Sequence, residues 1–169
     1  MSDTNESTGA KIGRGIVAGL VAGVAASFAM DRFQAAVSAL SSDDNGGQES
    51  EPATEKAADA IAIQATGSAV PDDDKSLAGQ AIHYALGIGL GIVYGVAAEF
   101  QPAVTAGYGA GFGVATATLL DEAAVPAVGL GEAPWKTSLL DNLYSYASHL
   151  VFGGVTELVR RQVANTLAE

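Results

Sequence analysis

The stretch GQAIHYALGIGLGIVYGVAAEF, Gly79 to Phe100, sets a small or polar residue at every fourth position of an apolar run: Gly79, His83, Gly87, Gly91, Gly95 and Glu99. No Lys, Arg, Asp or Glu occurs from Ser76 to Ala98, about the length a helix needs to cross a hydrocarbon core. Glycine costs a helix roughly 1 kcal/mol relative to alanine. In lipid that cost is offset where small residues four apart let helices pack backbone to backbone. The stretch therefore predicts a membrane-spanning helix with a smooth flank and an ionisable group near each end.

Three other segments carry the same spacing. Gly15, Gly19, Gly23, Ser27 and Asp31 form the first, and Thr105, Gly109, Gly113, Ala117 and Asp121 the second. The third is Asp141, Ser145, His149, Gly153, Glu157 and Arg161. The helix-packing positions expected are Gly15, Gly19, Gly23, Gly87, Gly91, Gly95, Gly109, Gly113 and Gly153. Charge-free runs at 15–30, 100–120 and 142–156 accompany these stripes. Four spans follow, at about residues 12–30, 77–99, 103–120 and 137–159, the first able to continue to Leu40 and the third starting after Pro102.

The expected fold is thus all-α: an integral membrane bundle of four transmembrane helices. A polar tail (1–11) precedes a membrane domain (12–169) whose first loop, 41–76, is acidic. Within that loop EPATEKAADAIAI, with Pro52 near its start, reads as a short amphipathic helix on the extracytoplasmic side. AAVPAVGLGEAPW, broken by Pro126, Gly129, Gly131 and Pro134, reads as a re-entrant turn or an interfacial loop, with Trp135 suited to the lipid–water boundary. Lys11, Arg14, Arg160 and Arg161 crowd one face of such a bundle, which puts both termini in the cytoplasm.

Composition agrees with a membrane protein. Hydrophobic residues make up 49% of the 169-residue chain and charged ones 16%, against roughly 25% charged in soluble proteins. The net charge of −11 comes mostly from SSDDNGGQESEPATE and PDDDK, which are unsuited to nucleic acid. Without cysteine there is no disulfide or thiol chemistry. GIGLGIVYG lies inside an apolar run and lacks a phosphate-binding lysine, so it is no nucleotide loop. The Ser, His and Asp of DNLYSYASH share one helix and cannot by themselves form a triad. No HExxH or ExxH spacing occurs, so neither a metal nor another cofactor is expected, and no enzymatic activity.

The candidate intramembrane polar or proton-relay residues are Asp31, His83, Glu99, Asp121, Glu122, Asp141, His149 and Glu157. Carboxylates near helix ends reach water cheaply, with Arg32 and Arg160 as nearby ion-pair partners. The seams, however, point inward, where ionisable groups are functional candidates. A packing histidine would be dry and bonded to backbone or hydroxyl, whereas a pathway histidine would face water or another titratable group.

GLVAGVAASFAMDRFQ, AIHYALGIGLGIVYGVAAE, LLDEAAVPAVGL and SYASHLVFGGVTELVRR, in this order, resemble the domain-of-unknown-function 1440 family, the YagU-like inner-membrane proteins of bacteria. The resemblance spans nearly the whole chain, except the acidic N-terminus and the acidic part of the first loop. It implies a bacterial plasma-membrane protein without an established activity, with a link to acid tolerance in part of the family and no accepted catalytic residues. The positions that match are Asp31, His83, Tyr94, Gly95, Glu99, Asp121, Glu122, Pro126, His149, Gly153, Glu157 and Arg160.

The favoured expectation is a structural or stress-related membrane component with pH-responsive histidines and carboxylates. The alternative is a small proton-linked transporter or channel built on the same residues. The lipid bilayer is the expected partner, with homo-oligomerisation through the glycine seams a further expectation. No small-molecule substrate is indicated.

Overall fold

A computed structural model describes residues 6–40 and 51–169. The start of the N-terminal tail (1–5) and residues 41–50 of the acidic loop lie outside the described residues. The chain is all-helical, with no strand among the described residues. Helix α1 covers Thr8–Leu40, α2 Ala53–Thr66 and α3 Asp72–Phe100. Helix α4 opens at Ala110–Thr116, continues as a π-type stretch over Ala117–Ala124 and closes with Val125–Ala127. Helix α5 covers Leu139–Leu167.

Local chemistry sets the helix ends. The Ser7 hydroxyl accepts from the Ala10 amide and starts α1 before the expected end of the tail at residue 11. Pro71 followed by Asp72, Asp73 and Asp74 starts α3, the three acids complementing the partial positive charge of its N-terminus. Ser138 and Asp141 cap α5 reciprocally, each side chain bonding the other's backbone amide.

Helices α1 and α3 run antiparallel, glycine face to glycine face. A methyl on Gly15 would lie 2.7 Å from the Val96 Cα, and one on Gly19 or Gly23 would run into the Gly91 or Gly87 carbonyl. Gly109 and Gly113 of the α4 region meet Gly153 and the His149 backbone of α5 in the same way. Helix α1 lies between α3 and α5, and α4 rests on α5. A small apolar layer of Ala26, Met30 and Phe152, with Leu90, Phe112 and Val155 around it, crosses the middle of the bundle.

The packing inverts that of a soluble bundle. On α1 the buried side is Gly15, Ala18, Gly19, Ala22, Gly23, Ala26 and Ser27, with Met30 the one large member, while Ile16, Val17, Leu20, Val21, Val24 and Phe28 are exposed. Small residues inside and large apolar ones outside suit lipid, where helix contact comes from close packing. Two helices, α1 and α3, are long and apolar enough to cross a membrane, with only 39% and 22% of their most apolar stretches buried. Helix α5 has the length but carries His149, Glu157, Arg160 and Arg161.

The third expected span, 103–120, differs most. Pro102 begins a 3-10 turn, Pro102–Thr105, and Gly107, Tyr108 and Gly109 all adopt positive φ, so the helix starts only at Ala110. A positive φ at tyrosine is uncommon and marks a chain reversal imposed by its neighbours. Beyond residue 120 the helix runs on through Pro126 to Ala127, where a turn or interfacial loop was expected.

Candidate functional site: a cavity with two histidine–aspartate pairs

A cavity of about 420 Å³ opens at the end of the bundle where α1 finishes and α3 begins. All five helices contribute to its wall: Asp31 from α1, Glu55 from α2, His83 from α3, Asp121 from α4 and His149 from α5. Met30, Leu90 and Phe152 of the apolar layer also line it.

The first pair is His83 with Asp31. The imidazole Nε2 lies 3.3 Å from Asp31 Oδ1 but off the line of a hydrogen bond, so this nitrogen has no hydrogen-bond partner among the described residues. Gln80, one turn before His83, donates from Nε2 to Asp31 Oδ2 at 2.7 Å. The second pair is His149 with Asp121. His149 Nδ1 is 3.0 Å from the Ser145 carbonyl and 3.6 Å from Asp121 Oδ2. A carbonyl only accepts, so the proton sits on Nδ1 in the neutral ring. The Ser145 hydroxyl donates to Asp121 Oδ2 at 2.7 Å, tying the carboxylate to α5. His149 thus meets both descriptions: its ring is buried and bonded to backbone, and it stands beside a carboxylate on a cavity wall.

Beyond the apolar layer lies a second set of charges. Glu157 is buried and accepts from Tyr94 Oη at 2.9 Å, Arg160 Nε at 2.7 Å and Arg160 Nη2 at 2.9 Å. Arg161 approaches the same carboxylate at 3.9 Å. Arg14 donates from Nε to both Glu99 oxygens at 3.1 Å and pairs through its other nitrogens with Glu99 and Glu6. Stacked rings fill the space between the two sets, Tyr94 on Phe112 and Phe112 beside Phe152.

Of the sequence candidates, Asp31, His83, Asp121 and His149 thus share the cavity, and Glu99 and Glu157 belong to the opposite set. Glu122 makes no ion pair among the described residues, and Asp141 completes the capping box that Ser138 opens on α5. Arg32 lies 5.3 Å over the Phe28 ring rather than pairing with a helix-end acid. Sequence reasoning passed over Gln80, Ser145 and Glu55 as site residues and Tyr94 as the partner of Glu157. Gln80 and Ser145 sit three and four residues before the two histidines, on the same helix faces, which is the signal that marks them. No three His, Asp or Glu side chains among the described residues gather closely enough to hold a metal.

No curated protein and no solved structure matches the chain. The model of a family described as "Protein of unknown function (DUF1440)" matches residues 48–158, an interval holding His83, Glu99, Asp121, His149 and Glu157. The chain belongs to this family.

Proposed function

We propose that this chain is a non-enzymatic, multi-pass protein of the bacterial plasma membrane, with four spans and both termini cytoplasmic, whose outer cavity responds to acid. The observation that carries this is the convergence of two His–Asp pairs on one cavity from four helices. Imidazole is the side chain suited to report pH near neutrality. The groups facing the histidines are Asp31, Glu55, Tyr84 and Asp121. Protonation turns each ring into a double donor, which pairs His83 with Asp31 and draws His149 toward Asp121. The glycine seams are occupied within the chain, so a second copy would meet other faces.

A proton-linked transporter or channel is the second reading, favoured by Glu99 and Glu157 at the opposite end. The layer of Ala26, Met30, Leu90, Phe112 and Phe152 stands across that route and supports a dead-ended cavity. The test follows the imidazole 15N resonances of the membrane-embedded chain on acidification from about pH 7.5 to about 5.5. Reversible changes at His83 and His149, with no proton flux into liposomes above the protein-free level, are expected. Unchanged resonances would sink the acid response, and flux abolished by His149→Ala would put the transporter first.

A further inference from the structure

The same cavity has a chemical bias that its acid response does not use. Three carboxylates face it, Asp31, Glu55 and Asp121, and no lysine or arginine does among the described residues. Arg32, adjacent to Asp31 in sequence, is directed onto Phe28 instead. Asp31 is met by Gln80, Tyr84 and the His83 ring, and Asp121 by Ser145 and the His149 ring, none of them a lysine or arginine, while Glu55 has no ion pair among the described residues. His83 Nε2 has no hydrogen-bond partner among the described residues, on a side chain that is 23% exposed. The rest of the wall mixes neutral polar groups, among them Gln34, Thr54, Ser76 and Thr116, with an apolar side of Met30, Leu86, Leu90, Leu120 and Phe152. A volume of about 420 Å³ lies within the range of small-molecule sites, roughly 300–1,000 Å³.

We propose that this cavity binds a small organic ammonium ion, its charge held among Asp31, Glu55 and Asp121 and its apolar body against Met30, Leu90 and Phe152. The inference rests on reading this cavity as the functional site and names the class of molecule it takes. An anion would meet three carboxylates, and a neutral apolar molecule would leave them unanswered at the wall. A bare metal ion would find no group of three ligating side chains among the described residues. An ammonium group supplies the missing donors and the missing positive charge together. His83 Nε2, when unprotonated, accepts one of its N–H groups.

The ammonium has two available sources, a free amine or the headgroup of phosphatidylethanolamine. The headgroup brings a phosphate to the same carboxylates, which favours the free amine.

The experiment titrates the full chain, in phosphatidylcholine nanodiscs at neutral pH, with benzylammonium, benzyl alcohol and benzoate by calorimetry. Saturable benzylammonium binding is expected, about tenfold or more tighter than benzyl alcohol, the worth of one charge-assisted contact. Glu55→Gln and Asp121→Asn should each weaken it severalfold, while Glu132→Gln, on the exposed connection before α5, should not. Glu55 of α2 packs on Gly79 of α3, and glutamine keeps its size there, so the variant tests the charge with the packing retained. Benzyl alcohol or benzoate binding as tightly as the amine overturns the proposal, as does an amine site indifferent to both cavity substitutions. Affinity that persists in phosphatidylethanolamine nanodiscs assigns the site to free amines, and affinity that falls there assigns it to the headgroup. Imidazole resonances that move on acidification while benzylammonium fails to bind defeat this inference and leave the acid response standing.

Discussion

The two ends of the bundle hold the same kinds of residue in opposite states. At the cavity end the histidine–aspartate separations are 3.3 and 3.6 Å, and the Asp121 side chain is 41% exposed. Past the apolar layer, Glu157 is 2% exposed and takes three hydrogen bonds of 2.7–2.9 Å. A charge removed from water costs several kcal/mol and persists only where partners answer every oxygen. Glu157 is such a charge, and its neighbours complete it. The cavity carboxylates keep one side toward open space, so a proton or a cation can complete them instead. The comparison teaches that one end is closed by its own partners while the other is left open.

The largest effect should come from breaking the completed end. Glu157→Leu strands Arg160 in the bundle interior, and loss of one partner of a buried pair costs about 3–5 kcal/mol. Asp121→Asn, at the half-open end, should stay within about 1 kcal/mol, as partly exposed pairs do. Unfolding of the two variants in the same detergent checks this. Equal losses would mean that both ends are structural, and the division proposed here would fail.

An intermediate effect probes the seam that joins the two ends. A methyl on Gly19 would collide with the Gly91 carbonyl and the Ile92 Cα. Gly19→Ala should therefore cost about 1–3 kcal/mol, the usual penalty of overpacking. Gly89, on the same helix as Gly91, has open space around it. Gly89→Ala should gain up to about 1 kcal/mol from helix propensity. Thermal unfolding of this pair separates glycine as a contact from glycine as mere composition. A loss at Gly89 matching that at Gly19 would break the argument.

The sequence carried the helical character of the chain, the two long apolar helices and the short helix of the first loop. The every-fourth spacing marks a glycine stripe in Gly15, Gly19 and Gly23, but nothing in it says that they face Gly95, Gly91 and Gly87. That register joins positions 64 to 80 apart in sequence, which no local signal in either helix encodes. The delayed start of α4 was hidden because AGYGAG reads as apolar and small, like the spans themselves. Only its backbone, with Tyr108 flanked by two glycines at positive φ, shows the break. The cavity pairs were half legible. Asp31, His83, Asp121 and His149 stood out as ionisable groups in apolar runs, yet Asp31 and His83 are 52 positions apart in sequence. Their meeting is a property of the fold, as is the distance of Glu157 from both.

The smallest effect should appear at the rim, and its sign separates it from the histidines. Helix α2, which brings Glu55 to the cavity, is fastened to α3 by Lys75, whose ammonium lies 2.9 Å from Glu51 and 3.0 Å from Asp59. Asp59 also accepts from the Val70 amide at 3.0 Å. The hydrogen bond from Lys75, helped by that amide, holds the Asp59 carboxyl below its ordinary range. A lowered acid adds stability that is complete above its unfolded value, about 3.9, and is lost as pH falls through the lower folded one. Hydrogen exchange in α2 should therefore stay slow from neutral pH downward and rise only below about pH 4. Lys75→Met should make that exchange faster at neutral pH and flatten its acid dependence. If α2 instead loosens together with the imidazole resonances, the rim is governed by the cavity and not by its own clasp. The open end would then be one coupled unit, and Glu55 would move with the histidines it faces.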